Sequence, residues 1–104
     1  MLQVTQETRS GWYVVTVKGR ADGETADQLE TELRTAVEQH DKVAADFSTL
    51  DYISSSGLRA VLQAARTAQI RNSEFAVCAL SAPVKRVFEL SGLHDVVRIE
   101  AALP

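Results

Sequence analysis

The sequence predicts an α/β domain whose mixed sheet of about five strands opens with a β-hairpin and carries three or more helices packed on the sheet. Two strand-like runs lie between Leu2 and Lys18, parted only by Arg9-Ser10-Gly11, and so short a turn implies an antiparallel hairpin. Beyond it, short apolar runs alternate with stretches of helical periodicity, the pattern of parallel strands joined by crossover helices. A length of 104 residues, 45% of them hydrophobic and 24% charged, suits one domain spanning residues 1–104 around one core.

Each element has its own warrant. Leu2 and Val4, then Gln6 and Thr8, alternate with polar neighbours and describe a half-exposed first strand. Trp12 to Lys18 is β-branched and aromatic nearly throughout and is the strongest strand in the chain. Gly19 ends it, and Arg20-Ala21-Asp22-Gly23 forms a loop before Thr25 and Gln28, which offer a capping box for a first helix. Ala26, Leu29, Leu33, Ala36 and Val37 share one face of that helix, which should end near His40. Val43 to Phe47 reads as a buried strand and Ser48 to Ile53 as a loop. Leu58, Val61, Leu62, Ala65 and Ala68 then mark a second helix reaching about Arg71, where Asn72-Ser73 break it. Phe75 to Leu80 is another apolar strand. Ser81 is placed to cap a third helix with Pro83 in its first turn, an apolar face of Val84, Val87, Phe88 and Leu90, and a stop glycine at Gly92. Val96 to Ile99 is a short last strand.

Composition narrows the function. The net charge is −3, the eleven Lys and Arg are scattered, and Lys85-Arg86 is their only adjacent pair, so no nucleic-acid footprint is present. No apolar run approaches the ~20 residues that span a bilayer, and the start lacks the basic and apolar regions of a signal peptide. A cytoplasmic protein without direct membrane insertion is expected. Cys78 has no partner for an internal disulfide and lies in an apolar run, the place of a buried, inert thiol. His40 and His94 stand far apart with no cysteine or carboxylate at ligand spacing, so no metal and no cofactor is expected.

The stretch Ser54-Ser55-Ser56-Gly57 falls where a strand turns into a helix. Unpaired N–H groups and the positive end of the helix dipole gather there, a setting that suits a phosphate, bound or covalently attached. In an open α/β sheet such loops collect beyond the carboxyl ends of the strands, which would bring Gly19–Asp22, Ser48–Ser56 and Leu80–Pro83 to one end. A serine nucleophile needs a base in reach, and both histidines follow helices that return to the opposite end; the G-x-S-x-G elbow is also absent. The G-x-x-x-x-G-K-[ST] phosphate loop is missing, Gly57 being followed by Leu58 and Arg59. Catalysis and a dedicated nucleotide site are therefore not expected. Two readings of the serines stand: an ordinary helix cap, or a modification site where a phosphate would turn a small neutral surface bulky and anionic.

The residues also resemble a family. Asp46-Phe47-Ser48, Leu50, Tyr52-Ile53 and Ser55-Ser56-Gly57-Leu58 resemble the signature of STAS domains, and within them of bacterial anti-sigma-factor antagonists. Gly19-Arg20-Ala21-Asp22 resembles their G-x-(aliphatic)-D segment, and Pro83 to Leu93 their closing helix. The likeness covers nearly the whole chain. It implies a STAS-type fold and a partner-switching cycle: the unmodified antagonist binds an anti-sigma factor that is also a serine kinase, releasing the sigma factor. The kinase then phosphorylates the serine before the glycine, binding ends, and a dedicated serine phosphatase restores it. Carried onto this chain, the acceptor is Ser56 with Ser55 as a rival, and the partner-binding residues are Asp22, Asp46, Ser54, Ser55, Ser56, Gly57, Leu58 and Arg59. Many members have Asp two residues before the acceptor where this chain has Ser54, a change that keeps a capping group but removes a carboxylate. The resemblance also admits a second role, an accessory STAS subunit docking on the ATPase of a membrane transporter.

Overall fold

The run from Trp12 to Val17 becomes the second strand of the sheet, paired with the first through a two-residue turn. A computed structural model describes all 104 residues. In chain order the elements are β1 (Leu2–Arg9), β2 (Trp12–Ala21), α1 (Ala26–Gln39), β3 (Lys42–Ile53), α2 (Ser55–Ile70), β4 (Glu74–Cys78), α3 (Ala82–Ser91), a 3-10 turn (Leu93–Asp95) and β5 (Ile99–Glu100). Ser10 and Gly11 both adopt positive φ, 55° and 82°, the turn geometry whose twist matches an antiparallel hairpin. The sheet order is β1-β2-β3-β4-β5, with β1 antiparallel to β2 and every later pair parallel.

Right-handed crossovers that always step in one direction place their helices on one face. Leu29 and Leu33 of α1, Val61 of α2, and Val84 and Phe88 of α3 accordingly pack with Val15, Val17, Phe47 and Val77 in one core. Phe47 meets Phe88 edge-on, 6.4 Å between ring centres. The opposite face of the sheet bears only a small apolar patch, Trp12, Val14, Ala44 and Cys78, with Leu103 against it. Lys42 and Arg98 lie over the Trp12 ring at 5.0 and 5.5 Å.

Several boundaries differ from the sequence expectation. Residues 48–53, expected as a loop, extend β3, and β2 runs past Gly19 to Ala21. The reason is a pair of β-bulges: the β2–β3 register shifts between Thr16 and Lys18 and again between Gly19 and Arg20. Each shift adds a residue to β3 and resets its alternation, so Phe47, Leu50 and Ile53, three apart, all enter the same core. β4 stops at Cys78 because Ala79 turns to φ 56°. The last strand is Ile99–Glu100 instead of residues 96–99, since the Val96 and Val97 N–H groups both return to the Leu93 carbonyl at 3.0 Å and close the 3-10 turn. Leu90 leaves the apolar face of α3 and is 77% exposed. Gly92 does end that helix in the left-handed conformation, φ 78°.

Two caps differ as well. Thr25 makes no side-chain cap to α1, and Gln28 donates instead to the Leu2 carbonyl at 3.2 Å. The Asp22 carboxylate closes the turn just ahead of the helix, accepting from the backbone N–H of Glu24 at 3.0 Å and of Thr25 at 3.2 Å. Ser81 does not cap α3 with its side chain; its hydroxyl donates to the Leu50 carbonyl at 2.6 Å.

Candidate functional site

The carboxyl ends of β2, β3 and β4 converge. The Ser54 backbone N–H donates to the Ala21 carbonyl at 2.8 Å, tying the end of β3 to the end of β2. The Ser81 contact with Leu50 and a 3.4 Å backbone bond from Ser81 N–H to the Phe47 carbonyl tie the start of α3 to β3. The three segments expected at one end are thus joined there, with residues 19–21 and 48–53 arriving as strand.

Ser54 is the N-cap of α2. Its extended backbone (φ −87°, ψ 173°) turns the hydroxyl back to accept from the Gly57 N–H at 3.2 Å, and its carbonyl accepts from the Leu58 N–H at 2.9 Å. With the turn capped by this residue, Ser55 and Ser56 present exposed side chains on the first helical turn. Gly57 is buried against the strand ends: a Cβ there would lie 2.7 Å from Ile53 Cγ1, 3.1 Å from the Ala21 carbonyl oxygen and 3.3 Å from Ala21 Cβ. Only a residue without a side chain lets α2 sit this low on β2 and β3. Leu58 is half-buried against the core, and Arg59 is exposed.

Ser56 and Arg59 line a groove of about 210 Å³ between α1 and α2, shared with Ala26, Asp27, Glu30, Ala60 and Gln63. Asp22 lies beside this region, at the end of β2. Burial alone would raise its carboxyl, but hydrogen bonds from Glu24 N–H, the Thr25 hydroxyl and Thr25 N–H outweigh that and hold it below the ordinary value of 3.8. Arg20 stands 4.0 Å from Asp22 and lies over the Tyr52 ring at 4.3 Å. Arg20 and Tyr52 therefore pair at the ends of β2 and β3, next to the serine turn, and the sequence gives them no role because the strand extension that pairs them is not visible in it.

Asp46 is not with the serines. It stands opposite Thr16 and Cys78, eight residues before Ser54, or roughly 26 Å of extended chain. Its neighbours Ala45 and Phe47 face the helix side, so its own side chain faces the other. There the carboxylate accepts from the Ser48 N–H at 2.9 Å and closes the first bulge. His40, on a different edge, stacks on Tyr13 at 3.7 Å, at the start of β2 and away from the serines. No group of three or more His, Cys, Asp or Glu is arranged to hold a metal ion, and no helix is long and apolar enough to cross a membrane.

A family model, the STAS domain, matches residues 3–104. BtrV of Bordetella bronchiseptica, described as a candidate anti-sigma factor antagonist, is 36% identical over 96 residues, covering 91% of this chain and 83% of that one. The anti-sigma F factor antagonist of Paenibacillus polymyxa is 28% identical over 100 residues, covering 94% and 86%. Among solved structures, the fold matches the anti-sigma factor antagonist SpoIIAA in its unphosphorylated form with a TM-score of 0.78 at 23% identity, over 96% of this chain and 89% of that one. The phosphorylated form of SpoIIAA, from Bacillus, matches at 0.71 and 22% identity, over 96% and 92%.

Proposed function

The chain belongs to the STAS domain family, and from that membership we propose that it is an anti-sigma-factor antagonist that binds an anti-sigma-factor serine kinase and is switched by phosphorylation of Ser56. The observation that carries this reading is the first turn of α2, where Ser54 alone supplies the cap and leaves two exposed hydroxyls with no structural duty. The relatives named as antagonists support it over a transporter subunit.

The chemistry is a phosphoryl transfer in which the partner is the catalyst and this chain the acceptor. The Ser56 oxygen attacks the γ-phosphorus of ATP, the bond to the ADP oxygen breaks, and the hydroxyl proton leaves to a base of the kinase. The product adds ~1.5–2 negative charges. The fold tolerates them, because the dipole of α2 favours an anion at its first turn and the Ser54 cap is untouched. A partner docked on this end meets a bulky anion in place of a small hydroxyl and dissociates. A phosphatase that hydrolyses the ester returns the hydroxyl and the binding surface.

Incubation with the cognate kinase and ATP, followed by peptide mass spectrometry, tests the cycle. Phosphate is expected on the wild type and on Ser55→Ala, and not on Ser56→Ala. In calorimetry, Ser56→Asp is expected to weaken kinase binding by about tenfold or more, the effect of about 1.4 kcal/mol of like-charge or steric opposition. Loss of phosphate only in Ser55→Ala overturns the assignment to Ser56. Absence of phosphate from both serines, or kinase binding indifferent to Ser56→Asp, overturns the switch.

A further inference from the structure

The groove between α1 and α2 is built asymmetrically around Ser56. On the α1 side stand two carboxylates, Asp27 and Glu30. Glu30 is already engaged, its Oε1 2.9 Å from Arg34 Nη1. Asp27 forms no ion pair, and neither does Arg59, the groove's one cation. Arg59 follows Ser56 by three residues on α2, and helical side chains lean toward the N-terminus, over the turn before their own Cα. Its guanidinium can therefore reach the space above Ser56 from the same helix, while Asp27 faces that space from the other wall.

The backbone there is that of an ordinary capped helix start. The Gly57 N–H is taken by the Ser54 hydroxyl and the Leu58 N–H by the Ser54 carbonyl. An anion on Ser56 thus meets the dipole, the Ser55 and Ser56 N–H groups that the first turn of a helix leaves unpaired, and whatever side chains can turn toward it. The groove, at about 210 Å³, has room for a phosphoryl group and several waters, each water taking ~30 Å³. Asp22, the next carboxylate, already has its hydrogen bonds from Glu24 and Thr25 and stands beside Arg20. Arg59 and Asp27 are the two uncommitted charges of opposite sign.

We propose that Arg59 is the positioning residue for a phosphate on Ser56, drawing it along the α1–α2 groove against repulsion from Asp27. This rests on the reading of Ser56 as the acceptor. Arg59 closes on the phosphate as a charge-assisted, two-pronged donor. Before modification it is unpaired and free to meet a partner's carboxylate; afterwards it is occupied. Phosphorylation then withdraws a cation from the docking surface as well as adding an anion to it, and the two changes act in the same direction.

The test uses the full chain with phosphoserine placed at position 56 during synthesis, so that no kinase is involved, and follows the phosphate by phosphorus NMR across its second ionisation. Charged groups facing it are Arg59 on α2, Asp27 and Glu30 with its partner Arg34 on α1, and Asp22 with Arg20 at the end of β2. A neighbouring cation favours the dianion, so Arg59→Gln is expected to move the midpoint up by about 0.3–0.7 of a pH unit, the size an exposed ion pair allows. Asp27→Asn should move it down by a similar amount. Arg59→Lys should recover part of the lost shift, Arg71→Gln at the far end of α2 should change nothing, and about 1 M salt should shrink every shift. A midpoint equal in the wild type and Arg59→Gln overturns the inference, as does an equal effect from Arg71→Gln. Failure of the Ser56 reading shows elsewhere, as a kinase that leaves Ser56 unmodified.

Discussion

Gly57 illustrates how one missing side chain places the serine turn. Elsewhere in a helix, glycine to alanine gains ~0.4–1 kcal/mol by stiffening the unfolded chain. Here the added methyl would meet Ile53 Cγ1 at 2.7 Å and the Ala21 carbonyl oxygen at 3.1 Å, and the carbonyl belongs to the backbone bond that joins β2 to β3. Neither neighbour can withdraw cheaply, so overpacking wins. Gly57→Ala is expected to lower stability by about 1–3 kcal/mol in urea unfolding and to slow kinase modification by lifting the serine turn. Unchanged stability would mean that α2 shifts freely on the sheet. The glycine was legible in the sequence only as the end of a serine run; its steric reason required the strand ends beneath it.

At the scale of elements, α2 depends on its cap. Ser54→Ala removes the acceptor for the Gly57 N–H and should cost about 1 kcal/mol in the same urea measurement, while Ser54→Asp should retain the cap. Equal stability of Ser54→Ala and wild type would show that water replaces the hydroxyl at no cost. The helices themselves were readable because their apolar faces are long and regular. β3 was readable only to Phe47. Alternation is the sign of a strand, and Phe47, Leu50 and Ile53 at intervals of three break it; the bulges that restore it are a property of the β2–β3 pair and not of either segment. The same strand explains Asp46. The family resemblance put it in company with the serines, whereas alternation turns it to the helix-free face, where it holds the bulge. Thr25 and Ser81 had capping identity, yet each hydroxyl found a backbone carbonyl from another segment, Arg20 at 2.7 Å and Leu50 at 2.6 Å.

Across the whole molecule, the two faces of the sheet carry different work. The helix face holds nearly all the core and the serine turn; the other holds Trp12, Val14, Ala44 and the Cys78 thiol. Burial pushes that thiol up to about 11 from 9.0, with the Asp46 charge adding to the effect. A folded value above the unfolded one means that folding favours the neutral thiol. The stability it lends is complete below about pH 9 and is lost as pH climbs from there toward about 11. Wild type is therefore expected to lose stability over this range faster than Cys78→Ala, read as the difference between their urea midpoints; parallel curves would show that another group is responsible. The strand order has a consequence for synthesis. Neighbours in the sheet are neighbours in the chain, so a ribosome delivering ~5–20 residues per second releases each strand beside one already made, and none must later be threaded between two others. The bond from Ser54 to Ala21 needs only the first half of the chain, which lets the turn bearing Ser55 and Ser56 begin to form while α3 is still being translated.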